Sequence, residues 1–212
     1  MSVAERLQAV REPLPKSVTL VAVSKGQPAE AVREAYEAGQ RDFGENYAQE
    51  WRAKTLALPD LTEIRWHFIG GLQTNKAKLL VGRVAYLHTV DRPELARELS
   101  RRLTPLRTRL RVFLEVNVAG EASKEGCDPA AAPELAELVR SLPGMELIGL
   151  MCIPPAGEDP RPHFRRLREL RDRLGLAELS MGMSGDFRQA IEEGATFVRI
   201  GTAIFGPRPS PG

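Results

Sequence analysis

Eight short β-branched or apolar runs recur along the 212 residues of this chain, and the stretches between them are largely helical in pattern. The runs are 20–23, 41–43, 64–69, 84–90, 110–116, 147–151, 178–181 and 196–200. Helical patterning covers 3–11 ahead of the first run, then 93–103, 130–141, 161–174 and 186–193. After the first run, Pro28 sits where a helix tolerates proline, Val32, Ala35 and Tyr36 share one helical face, and Gly39 closes the segment. Strict strand–helix alternation calls for parallel strands joined by right-handed crossovers. Eight such units close into an α/β, single-domain (β/α)8 barrel. An open doubly wound sheet is the competing fold, but no glycine-rich G-x-G-x-x-G turn follows the first run. The expected layout is one domain over residues 1–206 and a flexible Pro/Gly tail over 207–212.

Charge and cysteine usage narrow the function classes. Thirty basic residues against 28 acidic ones leave a net charge of +2, too even to argue for nucleic acid or an anionic membrane. The most basic stretch, 161–173, interleaves Arg165, Arg166, Arg168 and Arg171 with Leu167, Glu169 and Leu170, which reads as a solvated helix face. Cys127 and Cys152 stand far apart with no C-x-x-C or short Cys/His spacing, so they read as reduced thiols with no metal site. The first residues carry charges throughout, and no stretch of 18 apolar residues occurs, so a cytoplasmic protein is expected.

In a (β/α)8 barrel the chemistry lies at the carboxyl ends of the strands. There the sequence offers Lys25 after LVAVS, Asn46 after RDFGE, Asn117 after VFLEV, Ser184 after LSMGM, and Gly201 and Thr202 after FVRI. A lysine at a barrel mouth is partly desolvated, which shifts its amine toward the neutral form that attacks aldehydes. The turns SMGMSGD and RIGTAIFG supply small residues and hydroxyls at the seventh and eighth strand ends, where barrels often bind phosphate. Their glycines could equally serve tight turns alone. Because the first and eighth strands are neighbours in a closed barrel, amine and phosphate cradle together suggest a phosphorylated aldehyde such as pyridoxal phosphate.

The sequence resembles the pyridoxal phosphate homeostasis proteins, relatives of the alanine racemase amino-terminal barrel, from about residue 18 to 206. The resemblance rests on LVAVSK at 20–25, EAGQRDFGENYAQE at 37–50, WHFIGGLQTNKAK at 66–78, ASKEG at 122–126, LSMGMSGDFRQAI at 179–191 and GATFVRIGTAIFG at 194–206. It implies a carrier or regulator of pyridoxal 5'-phosphate with the cofactor held as a Schiff base on Lys25. It further implies Asn46 near the ring hydroxyl, Ser184, Gly185, Gly201 and Thr202 around the phosphate, and Arg199 facing the pyridine nitrogen. One departure is visible: Gly71 stands where relatives usually have histidine.

An arginine at the ring nitrogen disfavours ring protonation and weakens the electron sink that catalysis needs. Racemases of this fold also use an opposite-face base from an added domain that this chain is expected to lack, so a non-catalytic role is expected. A racemase-like enzyme remains the alternative, with His67 as its best base, although a satisfied core histidine is the plainer reading. A cofactor-free phosphosugar isomerase is a third, with Glu115 as base. Apo-enzymes that use pyridoxal phosphate are the candidate recipients, and a monomer is expected. Lys76, Lys78 and Lys124 are spare amines that could assist transfer or simply be solvated.

Overall fold

The structure, a computed structural model, describes residues 1–121 and 125–207. Eight parallel strands form a closed barrel in sequence order: β1 Thr19–Val23, β2 Asp42–Glu45, β3 Arg65–Phe68, β4 Tyr86–Val90, β5 Leu110–Glu115, β6 Met145–Met151, β7 Glu178–Ser180 and β8 Phe197–Ile200. The helices are α1 Val3–Arg11, α2 Ala29–Glu37, α3 Ala48–Ala57, α4 Ala77–Leu80, α5 Pro93–Leu103, α6 Ala132–Ser141, α7 Arg161–Arg173, α8 Phe187–Glu192 and α9 Thr202–Phe205. All eight expected strands form, shifted by no more than two or three residues at their ends. The expected tail lies, from residue 208, outside the described residues.

The barrel closes where β8 pairs with β1, in the register Thr19↔Phe197, Leu20↔Val198, Val21↔Arg199 and Ala22↔Ile200. Alternate strand residues face opposite sides of the sheet, and the buried apolar residues divide accordingly. Leu20, Ala22, Phe43, Trp66, Val112, Leu150, Val198 and Ile200 belong to the large core shared with helical residues such as Val32, Leu99, Val139 and Phe164. Val21, Phe113, Met151 and Phe197 form a separate small cluster inside the barrel. Phe113 and Phe197 meet edge to face at 5.2 Å, and His88 stacks on Phe113 at 4.4 Å. Above and beside these aromatics the interior is polar: His67, His88, Ser180 and Arg199 are all buried.

Helix α3 has a sequence that conceals its orientation, because its buried residues are Ala48, Trp51 and the charged Lys54. In α7 the arginines pair outward, Arg161 with Glu192 and Arg165 and Arg168 with Glu193, as a solvated face requires. No helix among the described residues is long and apolar enough to cross a membrane.

Phe113 is fully buried and touches both aromatic neighbours of the inner cluster. Phe113→Ala should therefore lower unfolding stability by about 3–5 kcal/mol, read as a shift of the urea midpoint.

Candidate cofactor site at the barrel mouth

Lys25, Asn46, Ser184, Gly185, Arg199, Gly201 and Thr202 all line one cavity of about 280 Å³ at the carboxyl ends of β1, β2, β7 and β8. Val23, Ile69, Ile153 and Met183 complete its wall. Ile153 and Met183 are among the few large apolar side chains left exposed, and both stand at this rim. Asn117 instead turns back on its own loop, where its Nδ2 donates to the Glu121 carbonyl at 2.7 Å.

Lys25 is partly buried between two immobilised neighbours. Lys54, from α3, reaches under the β1 end and donates to the Ser24 carbonyl at 2.6 Å, Glu45 Oε1 at 2.5 Å and Glu50 Oε1 at 2.7 Å. Those are all three of its N–H donors. The Ser24 hydroxyl donates to the same Glu45 oxygen at 2.6 Å, and Glu50 Oε1 accepts the Gly26 backbone N–H at 2.5 Å. Burial pushes the Glu45 carboxyl upward, against the pull of Lys54. Ser24 and Gly26 are thus pinned on either side of Lys25. Sequence reasoning did not single out Lys54, Glu45 or Glu50, since a lysine midway along a charged helix reads as solvated.

Asn46 is placed by contact with Gly70: a Cβ at 70 would run into the Asn46 backbone, so only glycine permits this approach. The buried Asn46 Oδ1 has no hydrogen-bond partner among the described residues, and an orphaned acceptor in a cavity wall suits a ligand hydroxyl. The turn after β7 depends on Gly182, whose φ of +95° and whose approach to Ala190, 2.6 Å from where a Cβ would sit, exclude other residues. It delivers Ser184 and Gly185 opposite Gly201 and Thr202, where α9 begins. The first turn of a helix leaves backbone N–H groups without intrahelical partners, so hydroxyls and amides suited to a phosphate converge there. With an amine, an orphaned acceptor and a phosphate-type cradle in one cavity, the donor set fits pyridoxal phosphate.

Arg199 forms part of the same wall yet is only 4% exposed. It donates to Ser180 Oγ at 2.7 Å and to the Cys152 carbonyl at 3.0 Å. Burial draws its pKa down, but a guanidinium keeps its charge in a protein.

The other candidates lie elsewhere. His67 is fully buried and stacked on Tyr86 at 4.3 Å, with both ring nitrogens engaged, so it reaches no ligand. Glu115 ends β5 outside the cavity wall, and burial, aided by the charges of Glu125 and Asp91, pushes its carboxyl up to about 8. Its position outside the cavity weighs against the isomerase reading. Lys76 lines a neighbouring pocket of about 320 Å³ with Gln73, Arg92 and Glu125, where the Glu125 carboxylate fills the space a side chain at Gly71 would take. Lys78 faces a separate groove beside Arg101 and Arg102. Lys124 lies outside the described residues. Both cysteines are buried free thiols, which burial pushes up to about 12.

Residues 2–209 match the family model described as the alanine racemase, N-terminal domain. A protein of Pseudomonas aeruginosa named pyridoxal phosphate homeostasis protein is 53% identical over 199 residues, 92% of this chain and 86% of its own length. One of the same name from Aquifex aeolicus is 46% identical, covering 98% and 99%. PipY of Synechococcus elongatus, solved with PLP bound, superposes with a TM-score of 0.91 at 41% identity, over 97% of this chain and 100% of that one. An alanine racemase of Clostridium difficile superposes at 0.79 with 15% identity, over 99% of this chain and 57% of its own, a likeness of fold.

Two outcomes test the surroundings of the site. Lys54→Met leaves Glu45 buried and unpaired and should cost about 3–5 kcal/mol, partly recovered when Glu45→Gln is added, both read by urea unfolding. Glu115 ionises near 4.5 unfolded but near 8 folded, so the folded state holds an extra proton between those values. Stability should fall as pH rises through that window. Glu115→Gln should remove roughly 3–5 kcal/mol of this fall, measured as unfolding free energy at pH 4 and pH 8.

Proposed function

The chain belongs to the alanine racemase N-terminal domain family, and on that premise we propose that it is a pyridoxal 5'-phosphate carrier or regulator rather than an enzyme. The observation that carries this reading is the convergence of Lys25, Asn46, Arg199 and the Ser184, Gly185, Gly201 and Thr202 cradle on one cavity. The names of its relatives and the PLP-bound state of PipY support it. Residues 1–206 form the cofactor-binding domain in this proposal.

When bound, pyridoxal phosphate supplies an aldehyde that joins amines and a ring able to withdraw electrons. Lys25 would be the amine that takes the aldehyde, with loss of one water. Its flanking residues are fixed in advance, so little ordering is needed on binding. Ser184, Thr202 and the backbone at Gly185 and Gly201 would hold the phosphate, Asn46 Oδ1 would accept a hydrogen bond from the ring hydroxyl, and Arg199 would face the ring nitrogen. Ile153 and Met183 would offer apolar surface to the ring at the rim.

The ionisable side chains of the cavity wall among the described residues are Lys25 and Arg199, neither of them a carboxylate. A buried guanidinium at the ring nitrogen resists a second positive charge there, which favours holding the cofactor over using it. Release to apo-enzymes through the exposed mouth follows, with the protein acting as a monomer in the cytoplasm.

Borohydride reduction of protein loaded with pyridoxal phosphate, followed by peptide mapping, should place the label on Lys25. Lys25→Ala should fold normally and take no stoichiometric label; a reducible chromophore retained there would overturn the assignment. Ser184→Ala should weaken binding about ten- to a hundredfold, the loss of a charge-assisted hydrogen bond of about 1.5–3 kcal/mol. Racemisation and transamination assays should show no turnover in the ordinary enzyme range of about 1 to 1,000 per second. Turnover in that range would favour the racemase-like alternative.

A further inference from the structure

From the cavity wall a single file of hydrogen bonds runs down through the barrel interior, built from five strands. Arg199 Nη1 lies 2.7 Å from Ser180 Oγ, Ser180 Oγ 2.8 Å from His88 Nδ1, His88 Nε2 3.0 Å from His67 Nδ1, and His67 Nε2 3.0 Å from Asp42 Oδ1. Asp42 is held from below by Arg65, through Nε at 2.8 Å and Nη2 at 2.5 Å. Arg65 and Asp42 line a groove at the opposite end of the barrel, about 540 Å³ in volume.

The end groups dictate the direction of every bond between them. A guanidinium only donates, so Ser180 Oγ accepts from Arg199; ionised Asp42 only accepts, so with both histidines neutral each must carry its proton on Nε2, and Ser180 gives its one proton to His88 Nδ1. His88 then carries its proton on Nε2 and donates to His67 Nδ1. His67 in turn carries its proton on Nε2 and donates to Asp42, an acceptor because it is ionised. Burial lowers the pKa of both histidines, in His88 well below the ordinary value, so both are neutral. Against the burial that would raise it, hydrogen bonds from His67 and Arg65 hold Asp42 below its usual range. Each interior group thus receives one hydrogen bond and gives one. Among the described residues no ion pair joins Arg199 to a carboxylate, and the dipoles of the file point their negative ends toward its charge.

We infer that Ser180, His88 and His67 are positioning residues for Arg199: their one-way hydrogen-bond file, anchored on Asp42, fixes the guanidinium that faces the ring nitrogen of the cofactor. Two of the five Arg199 N–H groups are committed to Ser180 and Cys152, which sets the plane of the guanidinium and leaves the remainder for the cavity. This rests on the site reading above and extends it to three residues that touch no ligand. His67→Leu interrupts the file, whereas His67→Gln retains an acceptor and a donor and can carry it in the same sense.

Two measurements test the inference. In the cofactor-free protein, long-range 1H–15N spectra should show both His67 and His88 as neutral Nε2–H tautomers; an Nδ1–H tautomer at either position overturns it. In protein loaded with pyridoxal phosphate carrying 15N in the ring, the ring-nitrogen shift should move in Ser180→Ala and His67→Leu most of the way to its value in Arg199→Met. It should stay at the wild-type value in His67→Gln, an outcome that a purely packing role for His67 would not produce. A wild-type shift in folded His67→Leu overturns the inference while leaving the site reading intact. A wild-type shift in Arg199→Met overturns the placement of Arg199 in the site and the inference with it. Should His67→Leu fail to fold, the tautomer spectra of the wild type decide alone.

Discussion

Everything at the barrel mouth depends on the backbone pairing of the first strand with the last. Thr19 to Ala22 and Phe197 to Ile200 are nearly 180 residues apart in sequence, yet four successive residue pairs bring them side by side. That seam sets Lys25, two residues past β1, against Gly201 and Thr202, just past β8, and places Arg199 across from Val21. Neither half of the cavity exists without the seam. The surrounding devices, from the glycine contact that seats Asn46 to the lysine clamp on Ser24, refine a geometry that closure has already set.

Two buried polar systems serve that geometry with different physics. The Lys54 cluster is compact and charged: one ammonium bonds two carboxylates and a carbonyl, with Lys54 and Glu45 buried and Glu45 Oε2 left without a partner among the described residues. It resists disturbance because removing either sign strands the other. The file from Arg199 to Asp42 separates its charges by three neutral groups and depends on each group holding its proton in one place. The first fixes where a backbone loop lies. The second fixes the orientation of a single planar group.

The strands were legible because each is a short apolar or β-branched run between polar turns, a pattern set by local chemistry. The candidate site was largely legible in its membership, because barrel topology turns the residues just after the strands into one list, and the residues chosen, Asn117 excepted, meet in a single cavity. What local patterning hides is partnership. Asp42, His67, His88, Ser180 and Arg199 lie on five strands; Arg199 and His67 were named singly in the sequence and the other three read as ordinary core or surface residues, but only register makes them neighbours. Lys54 was hidden for a related reason, since a charged residue gives no sign in sequence that buried acceptors await it. The fold was thus read from what neighbours along the chain share, and the polar interior required knowing which strands touch.

A cavity split across the closing seam also ties occupancy to folding. Its two halves come from opposite ends of the chain, and contacts of such long sequence separation form slowly, because loop-closure entropy is lost before they are gained. A barrel opened at the β1–β8 edge would lose the cavity, so a ligand that spans the edge binds only the closed form. The apparent stability of the chain then rises with the logarithm of free ligand concentration. Through the same seam, the melting behaviour of the protein becomes a gauge of how much ligand its surroundings contain.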